Sequence, residues 1–302
     1  MSGRSLVTCY ESYLLSLKTC YASLEQGNPV PECIKDHVAT LISDYVGELL
    51  EDHSPFCILG VGSGDGSNDL SFIEMLTKIS PGRVENFQFF QRTIEPDENA
   101  LSGFRAKAED LPSSLKCRVD IDFEWLPIPY QEYVEHKKKV DVKFDVVHFF
   151  HSIYYVDVET ALEHCYEKEL GAKGVILCAI SGEESAFVKY GKAFSSQGLI
   201  LNPGAYHSSK EVTDVAKKNG WKYVECPGET RLCDIAIFDG SSVEGNHLLD
   251  FLTHWVNVSQ AASQENLQKI LNFWENECTE NCHGKKKVKM MLSMVIIFKG
   301  CK

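Results

Sequence analysis

Along the first fifty residues the apolar positions fall at helical spacing. Tyr10, Tyr13, Leu14, Leu17, Tyr21 and Leu24 form one stripe; Ile34, Val38, Leu41, Ile42, Tyr45, Val46 and Leu49 form a second after Pro31, a residue suited to a first helical turn. Two amphipathic helices are predicted. The period then shortens: apolar runs at 56–61, 87–94, 117–125, 144–150 and 174–181, bounded by turn residues, alternate with helical patterns near 67–79, 97–110, 130–139 and 157–169. Strands joined by helix-length crossovers run mostly parallel, so the pattern predicts an α/β chain whose sheet is covered on both faces. In the run 117–125, Cys117, Val119, Ile121, Phe123 and Trp125 alternate strictly with polar residues, as in an edge strand with one wet face. A helix at 208–219, strands at 221–226 and 234–238, a helix at 246–256 and a last strand at 290–298 follow the same plan.

Composition narrows the function. The 302 residues are 44% hydrophobic, enough for one large core or two small ones. No run approaches ~20 apolar residues, and Arg4, Glu11 and Lys18 interrupt the N-terminal stretch, so neither membrane insertion nor export is expected. The twelve cysteines, spread from Cys9 to Cys301, fit reduced thiols in the cytoplasm better than a disulfide framework. Cys278, Cys282 and His283 lack a second ligand pair at finger spacing, and no metal is expected. A net charge of −13 repels phosphates and disfavours a nucleic-acid partner. Lys285, Lys286, Lys287 and Lys289 read as a solvated loop before the last strand.

The chemistry concentrates after the first strand, where "GVGSGDG" places glycine at every second position from Gly60 to Gly66. In open parallel sheets, ligands bind beyond the carboxyl ends of the strands, and a glycine-rich turn there lets backbone approach a nucleotide. A P-loop is excluded, because no lysine occurs between Gly60 and Lys78. The dinucleotide fingerprint fails in all three registers, its last glycine falling on Asp65, Ser67 or Asp69. What remains is G-x-G-x-G, Gly62, Gly64 and Gly66, which resembles motif I of the class I methyltransferases that use S-adenosylmethionine. An acid ending the second strand should then accept hydrogen bonds from two ribose hydroxyls, and Glu95 stands there, followed by Pro96.

With these elements placed, the chain resembles the histamine N-methyltransferase family along nearly its whole length, in "ILGVGSGDGSNDL", "IEP", "FDVVHFFHSIYYVDV", "SGEESAFVKYGKAF", "LLDFLT" and "LSMVIIF". The resemblance implies a Rossmann-like, seven-stranded, mostly parallel sheet in one monomeric domain over residues 1–302. Helices in 1–54 and segments near 183–215 and 240–288 would form a smaller substrate-binding cap. It also implies transfer of a methyl group from S-adenosyl-L-methionine to a small amine. Cofactor contacts are implied at Gly62, Ser63, Gly64, Gly66, Glu95, Pro96, Tyr130 and Phe150, with Ala100 standing where a glutamine is usual. Catalytic and acceptor contacts are implied at His151, Tyr154 and Tyr155, and further acceptor contacts at Glu25 or Gln26 and at Met290. His151 falls on the family's pocket glutamine and Met290 near its asparagine, which turns the expected acceptor away from histamine. His151 could take a proton from the attacking amine or hydrogen-bond a polar acceptor. Phe149, Phe150, Tyr154 and Tyr155 could form aromatic walls, while His148, inside the strand, reads as structural. Methylation of another small metabolite, such as an imidazole dipeptide or an amino acid, and cofactor binding without transfer remain the alternatives.

Overall fold

All seven residues of Phe144–Phe150 are buried, which happens to a strand only when helices cover both faces of its sheet. This strand, β4, lies at the centre of a sheet that also contains β1 (Phe56–Val61), β2 (Phe87–Ile94), β3 (Val119–Leu126), β5 (Leu170–Ser181), β6 (Lys222–Glu225) and β9 (Lys285–Lys299). Their order is β3-β2-β1-β4-β5-β9-β6. A computed structural model of the chain describes residues 3–25, 27–52, 55–79, 87–136, 142–226, 229–234, 241–282 and 285–300. The pairs β1·β2, β1·β4, β2·β3 and β4·β5 are parallel, and β9 runs antiparallel to β6. β3 is the edge strand that its alternation predicts, with Asp120 and Asp122 exposed.

Register brings the carboxyl ends together. Val61 pairs with Ile94, Ile94 with Leu126, and Phe150 with Ala179, so the segments following β1, β2 and β4 all leave the sheet along one edge. The crossover helices have visible causes. Ser67–Ile79 buries Phe72, Ile73, Met75 and Leu76, and Glu98–Glu109 starts where the Asp97 carboxylate accepts the N–H groups of Asn99 and Ala100.

The chain divides into two units: residues 30–180, 211–227 and 293–302 make up the larger, and 1–29, 181–210 and 228–292 the smaller. Residues 30–52 therefore belong with the sheet, not with the cap segments among which the sequence reading placed them. In the smaller unit Tyr190, Trp255 and Trp274 are fully buried in a core drawn from the helices Tyr10–Ser23, Ala186–Phe194, Val243–Thr253 and Gln264–Glu277. β7 (Glu229–Asp234) and β8 (Thr279–Cys282) pair with the first part of β9 in this unit. Of the strand expected at 234–238, residues 235–238 lie outside the described residues. The lysine run is not a loop but the start of β9, where Lys286, Lys287 and Lys289 pair with Glu275, Glu25 and Glu280. No helix among the described residues is long and apolar enough to cross a membrane.

Candidate active site

The loop after β1 turns through three residues in the left-handed region, Gly62, Gly64 and Gly66, with φ of 66°, 57° and 72°. Their reasons differ. A Cβ on Gly66 would lie 2.0 Å from the Phe104 ring, and one on Gly62 would lie 2.5 Å from the Ser152 Cβ, so these two glycines serve close packing. A Cβ on Gly64 would meet nothing within 4 Å, so this glycine faces open space. The loop is tied at its start, by Gly62 N–H donating to the Ile94 carbonyl (2.7 Å) and Ser152 Oγ–H donating to the Val61 carbonyl.

Glu95 closes the other side. Its Oε2 accepts the Gly64 N–H at 2.8 Å and its Oε1 the Asp97 N–H at 3.0 Å. Each oxygen keeps a lone pair for a further donor. Burial of the carboxyl raises its pKa above the usual value, and the two N–H groups oppose that rise. Pro96 is exposed beside it.

His151 follows β4 with φ 59°, a strained conformation for a residue with a side chain, held by its N–H donating to the Ala179 carbonyl at 3.0 Å. Burial pushes its imidazole down to about 4, so the ring is neutral at physiological pH. Tyr154 and Tyr155 lie in the next turn, rings T-shaped at 4.6 Å, with Tyr155 the more exposed.

Two expectations need correction. Phe149 and Phe150 do not form an open aromatic wall: Phe149 belongs to the core of the larger unit, and Phe150, 5% exposed, packs against Phe72 and His148. Tyr130 is a core residue whose hydroxyl lies 3.2 Å from Cys165 Sγ, and burial drives its pKa far upward. The core position leaves Tyr130 little surface for a ligand. In the smaller unit, Glu25 is an exposed partner of Lys287, and Met290 is half-buried against that unit's core. Gln26 lies outside the described residues. Ala100 is buried in the first turn of the helix after Glu95.

The sheet order, the glycine turn after β1 and the acid after β2 are the arrangement of one enzyme fold. The protein YcgJ of Bacillus subtilis superposes with a TM-score of 0.52 over 87% of this chain and 100% of its own, at 12% identity. Carnosine N-methyltransferase 2 of Gallus gallus is 26% identical over 273 residues, covering 88% of this chain and 81% of its own. Histamine N-methyltransferase of Danio rerio is 23% identical over 294 residues, covering 96% of this chain and 97% of its own. The chain has the class I methyltransferase fold. No family model matches its sequence.

S-adenosylmethionine fits this site. The Glu95 carboxylate has spare acceptor capacity of the kind that ribose hydroxyls would use, and Gly64 leaves the open face that a flat ligand needs. Sequence reasoning missed Asp69, Gln91 and Ser152. The visible signal for Asp69 is a carboxylate in phase with Phe72, Ile73 and Leu76 on a helix's apolar stripe.

Proposed function

We propose that this chain transfers a methyl group from S-adenosylmethionine to a nitrogen of a small amine or imidazole compound. The observation that carries this reading is the Glu95 carboxylate bonded to the N–H of Gly64, the one loop glycine with an open face. S-adenosylmethionine supplies a methyl carbon on a sulfonium, open to direct displacement by a nitrogen lone pair. The protein's work is then alignment and exclusion of water rather than covalent catalysis. Glu95 and the loop fix the cofactor's ribose. Tyr154 and Tyr155 offer aromatic faces that attract a cationic centre. His151, neutral and strained at the end of β4, accepts a hydrogen from the acceptor and keeps its nitrogen lone pair free for attack.

Similarity to histamine and carnosine N-methyltransferases supports an acceptor that carries an imidazole or an amine. His151, standing where the resemblance places an amide, argues against histamine itself, because a neutral imidazole presents a different set of donors and acceptors from an amide. The ten cysteines from Cys9 to Cys278 are free thiols, which supports a reducing, cytoplasmic setting, and we read the enzyme as a monomer.

The test is incubation with S-adenosylmethionine and a panel of imidazole dipeptides, histamine and other biogenic amines, read by mass spectrometry as products heavier by one methylene. A dipeptide or amine product other than methylhistamine is expected. Efficient methylation of histamine would overturn the substrate argument, and cofactor binding with no product from any compound would overturn transfer. His151→Gln should raise histamine turnover at least tenfold.

A further inference from the structure

Beneath the glycine loop four elements of the larger unit send polar side chains to one buried point. Asp69, 1% exposed, comes from the helix Ser67–Ile79. Its Oδ1 accepts from Ser63 Oγ at 2.8 Å and from Gln91 Nε2, in β2, at 2.6 Å. His148 Nε2, in β4, lies 3.2 Å from the same oxygen, off the hydrogen-bond direction. Among the described residues, Asp69 Oδ2, Gln91 Oε1 and His148 Nδ1 have no partner. A buried carboxylate with incomplete bonding costs stability relative to apolar packing, so the cluster serves something other than stability.

Its connections say what. Ser63 sits between Gly62 and Gly64, the residues whose left-handed backbone shapes the loop. A Cβ on Gly60 would lie 2.5 Å from Ser63 Oγ, 2.8 Å from Asp69 Oδ1 and 3.0 Å from His148 Cε1. Gly60 is therefore glycine because of this cluster and not because of a ligand. On the other side, the His148 ring stacks on Phe150 at 4.2 Å and 13°, and Phe150 immediately precedes His151.

We propose that Asp69 is a positioning residue, setting the cofactor loop through Ser63 and tying that loop through His148 to the end of β4, where His151 stands. The inference rests on the methyltransferase reading for its ligand, but the anchoring of the loop can be measured without one.

The experiment compares the full-length wild-type chain with Asp69→Asn and Ser63→Ala. Calorimetry with S-adenosylhomocysteine gives Kd, and amide hydrogen exchange of residues 62–66 is followed in the ligand-free protein. Both variants should bind at least tenfold more weakly and exchange at least tenfold faster in this segment, with exchange in β4 and β5 unchanged. Folded variants with Kd within twofold of wild type, or faster exchange spread evenly over the sheet, would overturn the proposal. Should Asp69→Asn fail to fold, Ser63→Ala, which leaves the carboxylate in place, decides through its exchange. A wild type that does not bind S-adenosylhomocysteine would refute the methyltransferase reading, while unchanged exchange at 62–66 would still refute the anchoring.

Discussion

Replacing Glu95 with Gln exchanges one carboxylate oxygen for an amide NH2 and removes the charge while keeping the side chain's shape. In the folded chain both oxygens are engaged, Oε2 by Gly64 N–H at 2.8 Å and Oε1 by Asp97 N–H at 3.0 Å. The new NH2 must therefore face one of these donors, leaving that N–H unpaired at about 1 kcal/mol of stability. Toward the cofactor the loss is larger. A hydrogen bond to a charged acceptor contributes about 1.5 to 3 kcal/mol, and glutamine keeps one uncharged acceptor for two ribose hydroxyls. The net loss is about 2 to 3 kcal/mol, a rise in Kd of about 30- to 150-fold. Calorimetric titration with S-adenosylhomocysteine, alongside a melting curve of the ligand-free variant, measures both. Because burial raises the Glu95 pKa and hydroxyl donors favour its charged form, wild-type affinity should fall as pH drops through that raised pKa and stay level above it. A variant that binds within twofold of wild type at neutral pH would show that Glu95 serves the loop and not the ribose.

Gly66→Ala should fold poorly, since its Cβ would lie 2.0 Å from the Phe104 ring, whereas Gly64→Ala should fold at a backbone cost of about 1 to 2 kcal/mol and bind the cofactor at least tenfold more weakly; equal melting losses in the two would remove the distinction between them. His151 and His254 are both held by burial at about 4, against about 6.5 in an unfolded chain. The unfolded state therefore binds protons that the folded state refuses, and stability should fall as pH drops from about 6.5 to about 4, by at most about 1.4 kcal/mol per pH unit for each group. Denaturant midpoints flat across that window would refute this, and His151→Gln should remove part of the slope.

The larger unit was readable because its signals are local. The runs at 56–61, 87–94 and 144–150 coincide with β1, β2 and β4, since an apolar run ends where Gly62, Glu95 or His151 turns the chain away from the sheet. The Gly62–Gly66 turn and Glu95 could be found for the same reason. Direction was harder to read than position. Resemblance could place Tyr130 and Phe150 near a site, but only packing shows that Tyr130 turns its hydroxyl toward Cys165 and Phe150 its ring toward His148. The Asp69 cluster joins the neighbouring Ser63 to Gln91 and His148, which lie far away in sequence, so no spacing rule reveals it. Lys286, Lys287 and Lys289 read as a loop because charge suggests water, yet strand pairing and facing acids hold them in β9.

The smaller unit has no continuous stretch of chain to itself; it is assembled from residues 1–29, 181–210 and 228–292. During synthesis its first helix, Tyr10–Ser23, leaves the ribosome long before the strands and helices that bury it. The bridge between Leu24 and Cys233 and the bond from Leu6 N–H to the His254 carbonyl can close only after more than 200 further residues have been made. Until then that helix is an amphipathic segment with its apolar face in water, a target for chaperones. A premature stop near residue 230 would therefore do more than shorten the protein: it would strand the N-terminal helix without the core that covers it, and the fragment should aggregate instead of persisting as a sheet with one end missing.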